Sequence, residues 1–108
     1  MLWLGLGAIS LAAAGAACAQ TVSASRQAEL IRLVRQDCGS CHGMTFRGGL
    51  GPPLTAEALR DKPAGSLMLT ILNGRPGTPM PPWRPFVSEA EAAWIVDRLQ
   101  KGFDDGPR

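Results

Sequence analysis

Cys38-Gly39-Ser40-Cys41-His42 is the stretch on which the reading of this chain turns. Its two thiols, three residues apart, fall on one side of a helical turn. The imidazole that follows them is the chain's only histidine. This C-x-x-C-H spacing is the attachment signature of a c-type haem. The thiols of Cys38 and Cys41 reach the two vinyl groups along one porphyrin edge, and His42 points beneath the ring to take one axial position on the iron. Three other uses of the motif fit less well. A zinc site needs about four nitrogen or sulfur ligands, more than Cys38, Cys41 and His42 supply. A thioredoxin-type redox pair belongs in a βαβ pattern, and no strand pattern surrounds these residues. A Cys38–Cys41 disulfide fits only a precursor state.

Working outward, 108 residues make one domain. Residues 2–17 are almost wholly apolar, interrupted only by Ser10. That run is short of the ~20 residues a membrane-spanning helix needs and fits the apolar core of a secretory signal peptide. Ala17-Cys18-Ala19 supplies a small-residue cleavage site, so residues 1–19 are expected to be a leader and residues 20–108 the functional domain, exported to the periplasm. No Lys or Arg precedes the apolar run; lipidation at Cys18 and retention as an uncleaved anchor are the alternatives. After cleavage no stable membrane insertion is expected, and Cys18 and Trp3 drop out of the functional inventory. A mature domain of about 89 residues is small for a self-sufficient apolar core. A covalent haem serves as both core and staple.

The charges are uneven. Residues 26–84 carry eight basic side chains against Glu29, Asp37, Glu57 and Asp61, a balance of +4, whereas residues 85–108 carry three basic against five acidic. The basic portion includes the segments expected around the haem edge and favours docking to an acidic redox partner. Nucleic acid binding has no support, because neither a basic run nor an aromatic platform is present.

Periodicity and capping signals predict a series of short helices joined by loops. Residues 25–36 form an amphipathic helix capped by Ser25, with Ala28, Ile31, Val34 and Cys38 on its apolar face and Arg26, Glu29, Arg32 and Arg35 on the other. The helix runs directly into the C-x-x-C-H turn. Residues 43–51 form a glycine-rich loop; with no preceding strand and no G-K-[S/T], it is not a phosphate cradle. Short helices follow at residues 55–60, capped by Thr55, and 66–72, ended by Asn73-Gly74. Residues 74–85 hold five prolines and form an extended, stiff loop around Met80. Residues 88–100 form the clearest helix, with a Ser88/Glu91 capping box, a Val87–Ala92 staple, an apolar face of Ala92, Ile95, Val96 and Leu99, and a stop at Gly102.

The second axial ligand decides the chemistry, since an open iron binds oxygen or peroxide and a second strong ligand makes an electron carrier. Among the methionines after the leader, Met44 lies two residues past His42 and cannot cross to the opposite haem face. Met68 lies on a helical apolar stripe and reads as core. Met80, 38 residues after His42 on a proline-bracketed loop, is the expected ligand. A ligating histidine also needs an acceptor for its other ring N–H, and a carbonyl in the stiff turn at Gly51-Pro52-Pro53-Leu54 suits that purpose. Trp83, Arg84, Arg75 and Arg47 are candidates for the haem propionates.

Taken together, C-x-x-C-H at residues 38–42, G-P-x-L at residues 51–54, the proline-bracketed Met80 and a C-terminal amphipathic helix bearing Trp94 resemble a class I cytochrome c. The resemblance implies a small all-α fold, four or five short helices wrapped around one covalent haem, with the N- and C-terminal helices crossing near it. It further implies that the Pro52 carbonyl accepts the hydrogen bond from His42 and that Trp94 takes the aromatic position at the crossing. The N-terminal helix lacks the usual aromatic partner there. More narrowly, Asp37-Cys-Gly-Ser-Cys-His42-Gly43 with Asn73-Gly-Arg-Pro-Gly-Thr-Pro-Met80-Pro-Pro-Trp83 is similar to the cytochrome c55X (NirC) type associated with haem d-containing nitrite reductase. That similarity implies a monomeric, non-enzymatic periplasmic monohaem carrier of single electrons. It implies delivery to that reductase from an upstream cytochrome donor, or a part in maturing the haem d cofactor. A small haem enzyme with a labile methionine ligand is the rival reading.

Overall fold

Five α-helices and one π-helical segment make up the described residues of the computed structural model, which are 21–103 together with Leu2, Gly5 and Gly7. The expectations for the leader, its cleavage site and Cys18 lie outside them. In chain order the elements are α1 (Ala24–Leu33), a π-helical segment (Val34–Cys38), α2 (Gly39–His42), α3 (Ala56–Leu59), α4 (Ala64–Asn73) and α5 (Glu89–Lys101). No strand occurs among the described residues, so the all-α expectation holds.

Helix α1 begins two residues earlier than the sequence suggests. Ser23, not Ser25, is its cap: the Ser23 hydroxyl accepts the Arg26 backbone N–H at 3.2 Å. The buried face also differs. Leu30 and Val34 are fully buried, Ile31 is half-buried and Ala28 is exposed, so the core stripe follows an i, i+4 spacing through Leu30. Without a break the helix widens into Val34–Cys38, where the Gly39 N–H donates to Val34, five residues back. It then tightens again through His42.

The remaining helices follow the expected signals closely. Thr55 caps α3, its hydroxyl accepting from the Ala58 N–H at 3.3 Å. Helix α4 starts after Pro63 and stops at Gly74, whose φ of 67° suits glycine. Helix α5 carries the full capping box: the Glu91 N–H donates to Ser88 Oγ and the Ser88 N–H to Glu91 Oε1. Val87 and Ala92 are both buried at the staple positions, and Ala92, Ile95, Val96 and Leu99 line the buried face.

Leu30, Val34, Phe46, Leu59, Leu72, Val87, Ala92, Ile95 and Leu99 form one core cluster. Helix α5 packs chiefly on α4 and α3. It meets α1 through shared core residues and through an ion pair in which Arg26 Nε donates to Glu91. Arg26 is thus not a solvent-face residue. Its guanidinium also reaches Glu29 at 2.8 Å and the Phe86 carbonyl at 2.7 Å, tying the first turn of α1 to the first turn of α5. Trp94 is half-buried against the core, with the Arg98 guanidinium 5.1 Å over its ring. The exposed side of the indole is thus met by a cation one turn along its own helix.

The Arg26 hydrogen bond, followed by the Ser88 contacts, holds the Glu91 carboxyl below its ordinary range despite the opposing effect of burial. A carboxylate whose folded pKa is depressed adds stability above its unfolded value near 4.5, and that stability is lost as pH falls through the lower folded value. The E91Q substitution is therefore expected to cost about 1 kcal/mol at neutral pH, or a melting temperature roughly 4–8 °C lower. Thermal melts from pH 7 to pH 3 should show the gap between wild type and E91Q closing below pH 4.5; a constant gap would mean that the ion pair is energetically silent.

Candidate haem site

Helix α2 is one turn long and carries both cysteines' downstream partner, His42, at its end. Cys38 and Cys41 are free thiols, each half-buried. Burial, and secondarily the Asp37 carboxylate, push the Cys38 thiol up to about 11. Such a thiol stays protonated at neutral pH, the reverse of the depressed thiol of a thioredoxin-type pair. No group of three or more Cys, His, Asp or Glu side chains placed to hold a metal ion occurs among the described residues.

Gly43, with φ of 91°, turns the chain back after His42. The loop is then stitched to the helix it has just left: the Gly48 N–H donates to the His42 carbonyl and the Gly51 N–H to the Cys41 carbonyl, both at 2.8 Å. This return brings Pro52 beneath the imidazole. His42 Nδ1 lies 2.7 Å from the Pro52 carbonyl oxygen. Because a carbonyl can only accept, this contact fixes Nδ1 as the protonated nitrogen and leaves Nε2 as the lone-pair donor. Gly51 lies flat against the same ring, where a Cβ would come within 2.6 Å of His42 Cε1 and 2.7 Å of Nδ1. The G51A substitution is therefore expected to tilt the ring and break the Pro52 bond, costing about 2 kcal/mol. Thermal denaturation against the control G65A, which has open space around it, measures that cost.

Met80 is half-buried, and both of its backbone polar groups are engaged: its N–H donates to Thr78 Oγ1 at 3.3 Å and its carbonyl accepts the Arg75 N–H at 3.2 Å. The loop is not extended throughout, as its prolines suggest. It folds into a tight turn, with Thr78 N–H and Oγ–H both donating to the Arg75 carbonyl. It then returns to α4, where the Trp83 and Arg84 N–H groups donate to Ile71 and Leu72 at 3.0 and 3.1 Å. Met44 is exposed beside Gly39, and Met68 is half-buried against the core, as its place on the apolar stripe suggests. Trp83 is half-buried, its ring 5.8 Å from that of Phe86. The Arg84 guanidinium is already bound by Asn73 Oδ1 at 2.9 Å and Glu89 at 3.6 Å, so it is the least available of the propionate candidates. Sequence reasoning missed Gly51 and Thr78 as positioning groups; the G-P-P run signalled the turn but not the ring lying on it.

The donor set fits a covalently held haem. Two thiols stand at the tether spacing, an imidazole presents Nε2 with no hydrogen-bond partner among the described residues, and a thioether sits on a loop held at both backbone groups. The family described as cytochrome c oxidase, cbb3-type, subunit III matches residues 25–97. Cytochrome c55X from Pseudomonas aeruginosa is 62% identical over 79 residues, which cover 73% of this chain and 66% of that relative. Cytochrome c55X from Stutzerimonas stutzeri is 50% identical over 100 residues, 93% of this chain and 88% of the relative. Among solved structures, the c-type cytochrome NirC superposes with a TM-score of 0.72 at 59% identity, covering 73% of this chain and 93% of that one. Dihydro-heme d1 dehydrogenase NirN superposes with a TM-score of 0.61 at 34% identity, covering 71% of this chain but 17% of that one. On these matches and this donor set, the chain belongs to the cytochrome c55X family of c-type cytochromes, electron carriers built on a covalently bound haem c.

Proposed function

We propose that the protein is a periplasmic carrier of single electrons in which Cys38 and Cys41 tether the haem and His42 and Met80 ligate its iron. When bound, the haem supplies a ferric/ferrous couple at a potential raised by the thioether ligand. The chain's own residues hold the two ligands still. Pro52 and Gly51 orient the His42 ring, while Arg75 and Thr78 fix the Met80 backbone. The prolines at 79, 81 and 82 remove the freedom with which that backbone could otherwise relax. Ligands held this way stay put when the charge at the site changes, which suits repeated one-electron exchange and not substrate binding. The observation that carries this reading is the Met80 backbone, pinned on both sides. Trp83 and Arg75 are the proposed propionate contacts.

The exchange partner we propose is an enzyme that handles haem d1. The nitrite reductase that uses this haem is the first candidate, with an upstream cytochrome as donor. The similarity to a dihydro-heme d1 dehydrogenase, of which this chain covers 17%, supports a second role as a separate electron acceptor during maturation of that haem. Two measurements test the proposal. The ferric protein should show the weak far-red thioether–iron band and the ferrous protein should resist carbon monoxide; rapid carbon monoxide uptake would overturn the carrier reading. Stopped-flow mixing of the reduced protein with haem d1-containing nitrite reductase should give transfer that slows with salt, and no transfer would remove that enzyme as the partner.

A further inference from the structure

Two aromatic side chains outside the motif meet behind the His42 loop. Phe46 is the only non-glycine residue with positive φ among the described residues, at 59°, a conformation a bulky side chain adopts only when its surroundings enforce it. Its ring is buried, 5% exposed, and contacts Phe103 edge to face, with centroids 5.3 Å apart. Phe103 follows Gly102, the stop of α5, and the guanidiniums of Arg35 and Arg98 lie 6.0 and 5.7 Å from its ring.

The backbone of Phe46 has a further connection. Pro52 and Pro53 have no N–H, so the segment bearing the His42 acceptor cannot be anchored from within. It is held at its two ends: the Gly51 N–H donates to Cys41, and the Leu54 N–H donates to the Phe46 carbonyl at 2.8 Å. One of these anchors therefore runs through the positive-φ backbone of Phe46, whose ring packs on Phe103.

We propose that Phe103, acting through Phe46, is a positioning residue for the axial histidine, holding the Pro52 carbonyl against His42 Nδ1–H and thereby setting the donor strength of the ring. The inference rests on the reading that His42 ligates the iron. A strong hydrogen bond to Nδ1–H makes the imidazole more basic and favours the ferric state. Loosening it raises the potential, whereas loosening Met80 lowers it, so the sign identifies the side on which the latch acts.

The test uses the full haem-loaded protein with Phe103→Ala, Phe103→Leu and Phe103→Tyr. The midpoint potential should shift upward in Phe103→Ala and, if that variant folds poorly, in Phe103→Leu; it should return to the wild-type value in Phe103→Tyr, which keeps the ring. Exchange of the His42 Nδ1–H, followed by NMR, should accelerate on the order of tenfold, as for one weakened hydrogen bond. A lower melting temperature with unchanged potential and exchange would reduce Phe103 to a packing residue and overturn the proposal, as would a downward shift. Wild-type His42 ring protons without paramagnetic shifts would instead bring down the ligand reading, and the proposal with it.

Discussion

Met80→Ala is expected to convert an electron carrier into a ligand-binding haem protein. On the proposed ligation, the Met80 thioether is the one group whose loss both vacates a coordination position and removes the donor that favours ferrous iron. Three changes should therefore appear together: the far-red band disappears, the ferrous protein takes up carbon monoxide, and the midpoint potential falls by on the order of 0.1–0.3 V, a fraction of the ~0.8 V that axial ligands span. The fold should survive. The backbone contacts that hold the loop, Arg75 N–H to the residue 80 carbonyl and residue 80 N–H to Thr78, do not involve the side chain. The melting temperature then reports the truncated side chain, namely its packing and, on the proposed ligation, its bond to iron. An unchanged spectrum would transfer the ligand role to Met68, half-buried on α4.

Gly74→Ala should do comparable damage without touching a ligand. Gly74 has φ of 67° and ψ of −170°, a region essentially reserved for glycine. A Cβ there would sit 2.7 Å from the Met80 carbonyl oxygen and 2.7 Å from the Pro81 carbonyl carbon. Neither neighbour is a flexible side-chain tip, so the loop must lift away from the end of α4. Strain and collision together are expected to cost about 3 kcal/mol or more, lowering the melting temperature by roughly 12–24 °C. Carbon monoxide should gain access, because the displaced carbonyl belongs to Met80 itself. Gly77→Ala is the matched control: φ there is 78°, but open space surrounds the added Cβ, so only the strain of about 1 kcal/mol remains. Equal effects of the two substitutions would show that the Met80 loop is not packed against α4.

The parts of this fold legible in the sequence are those governed by short-range chemistry. The C-x-x-C-H spacing, the Ser88/Glu91 box, the Thr55 cap and the Gly74 and Gly102 stops each involve residues within four positions of one another, and each stands where its local pattern placed it. The stiff turn at residues 51–54 was readable as the source of a carbonyl for His42, and the resemblance to a class I cytochrome c singled out Pro52, where the contact stands. The misreadings came from tertiary competition. Ser23 and Ser25 are equally good caps by type, and packing of Leu30 and Val34 selected Ser23. Arg26 reads as a solvent charge in a helical pattern until α5 delivers Glu91 from 65 residues away. The turn of residues 75–78 was hidden by a proline count that suggested extension, although Thr78 and Gly77 supply the hydroxyl and the positive φ that close it. Phe46 and Phe103 carried no local signal at all.

The wide turn at Val34–Cys38 has a consequence for engineering. In an α-helix each successive residue advances the azimuth by about 100°, and a π-helical stretch lags behind that advance. The stretch thus acts as a vernier between two halves of one rod: Leu30 and Val34 decide how the rod lies on its neighbours, while the bearing of Cys38 and His42 is adjusted independently. Adding or deleting a single amino acid after Val34 would swing the Cys38 and Cys41 thiols around the axis while leaving Leu30 and Val34 in their seat. Transplanting the pentapeptide onto a straight helix would consequently require this offset to be rebuilt.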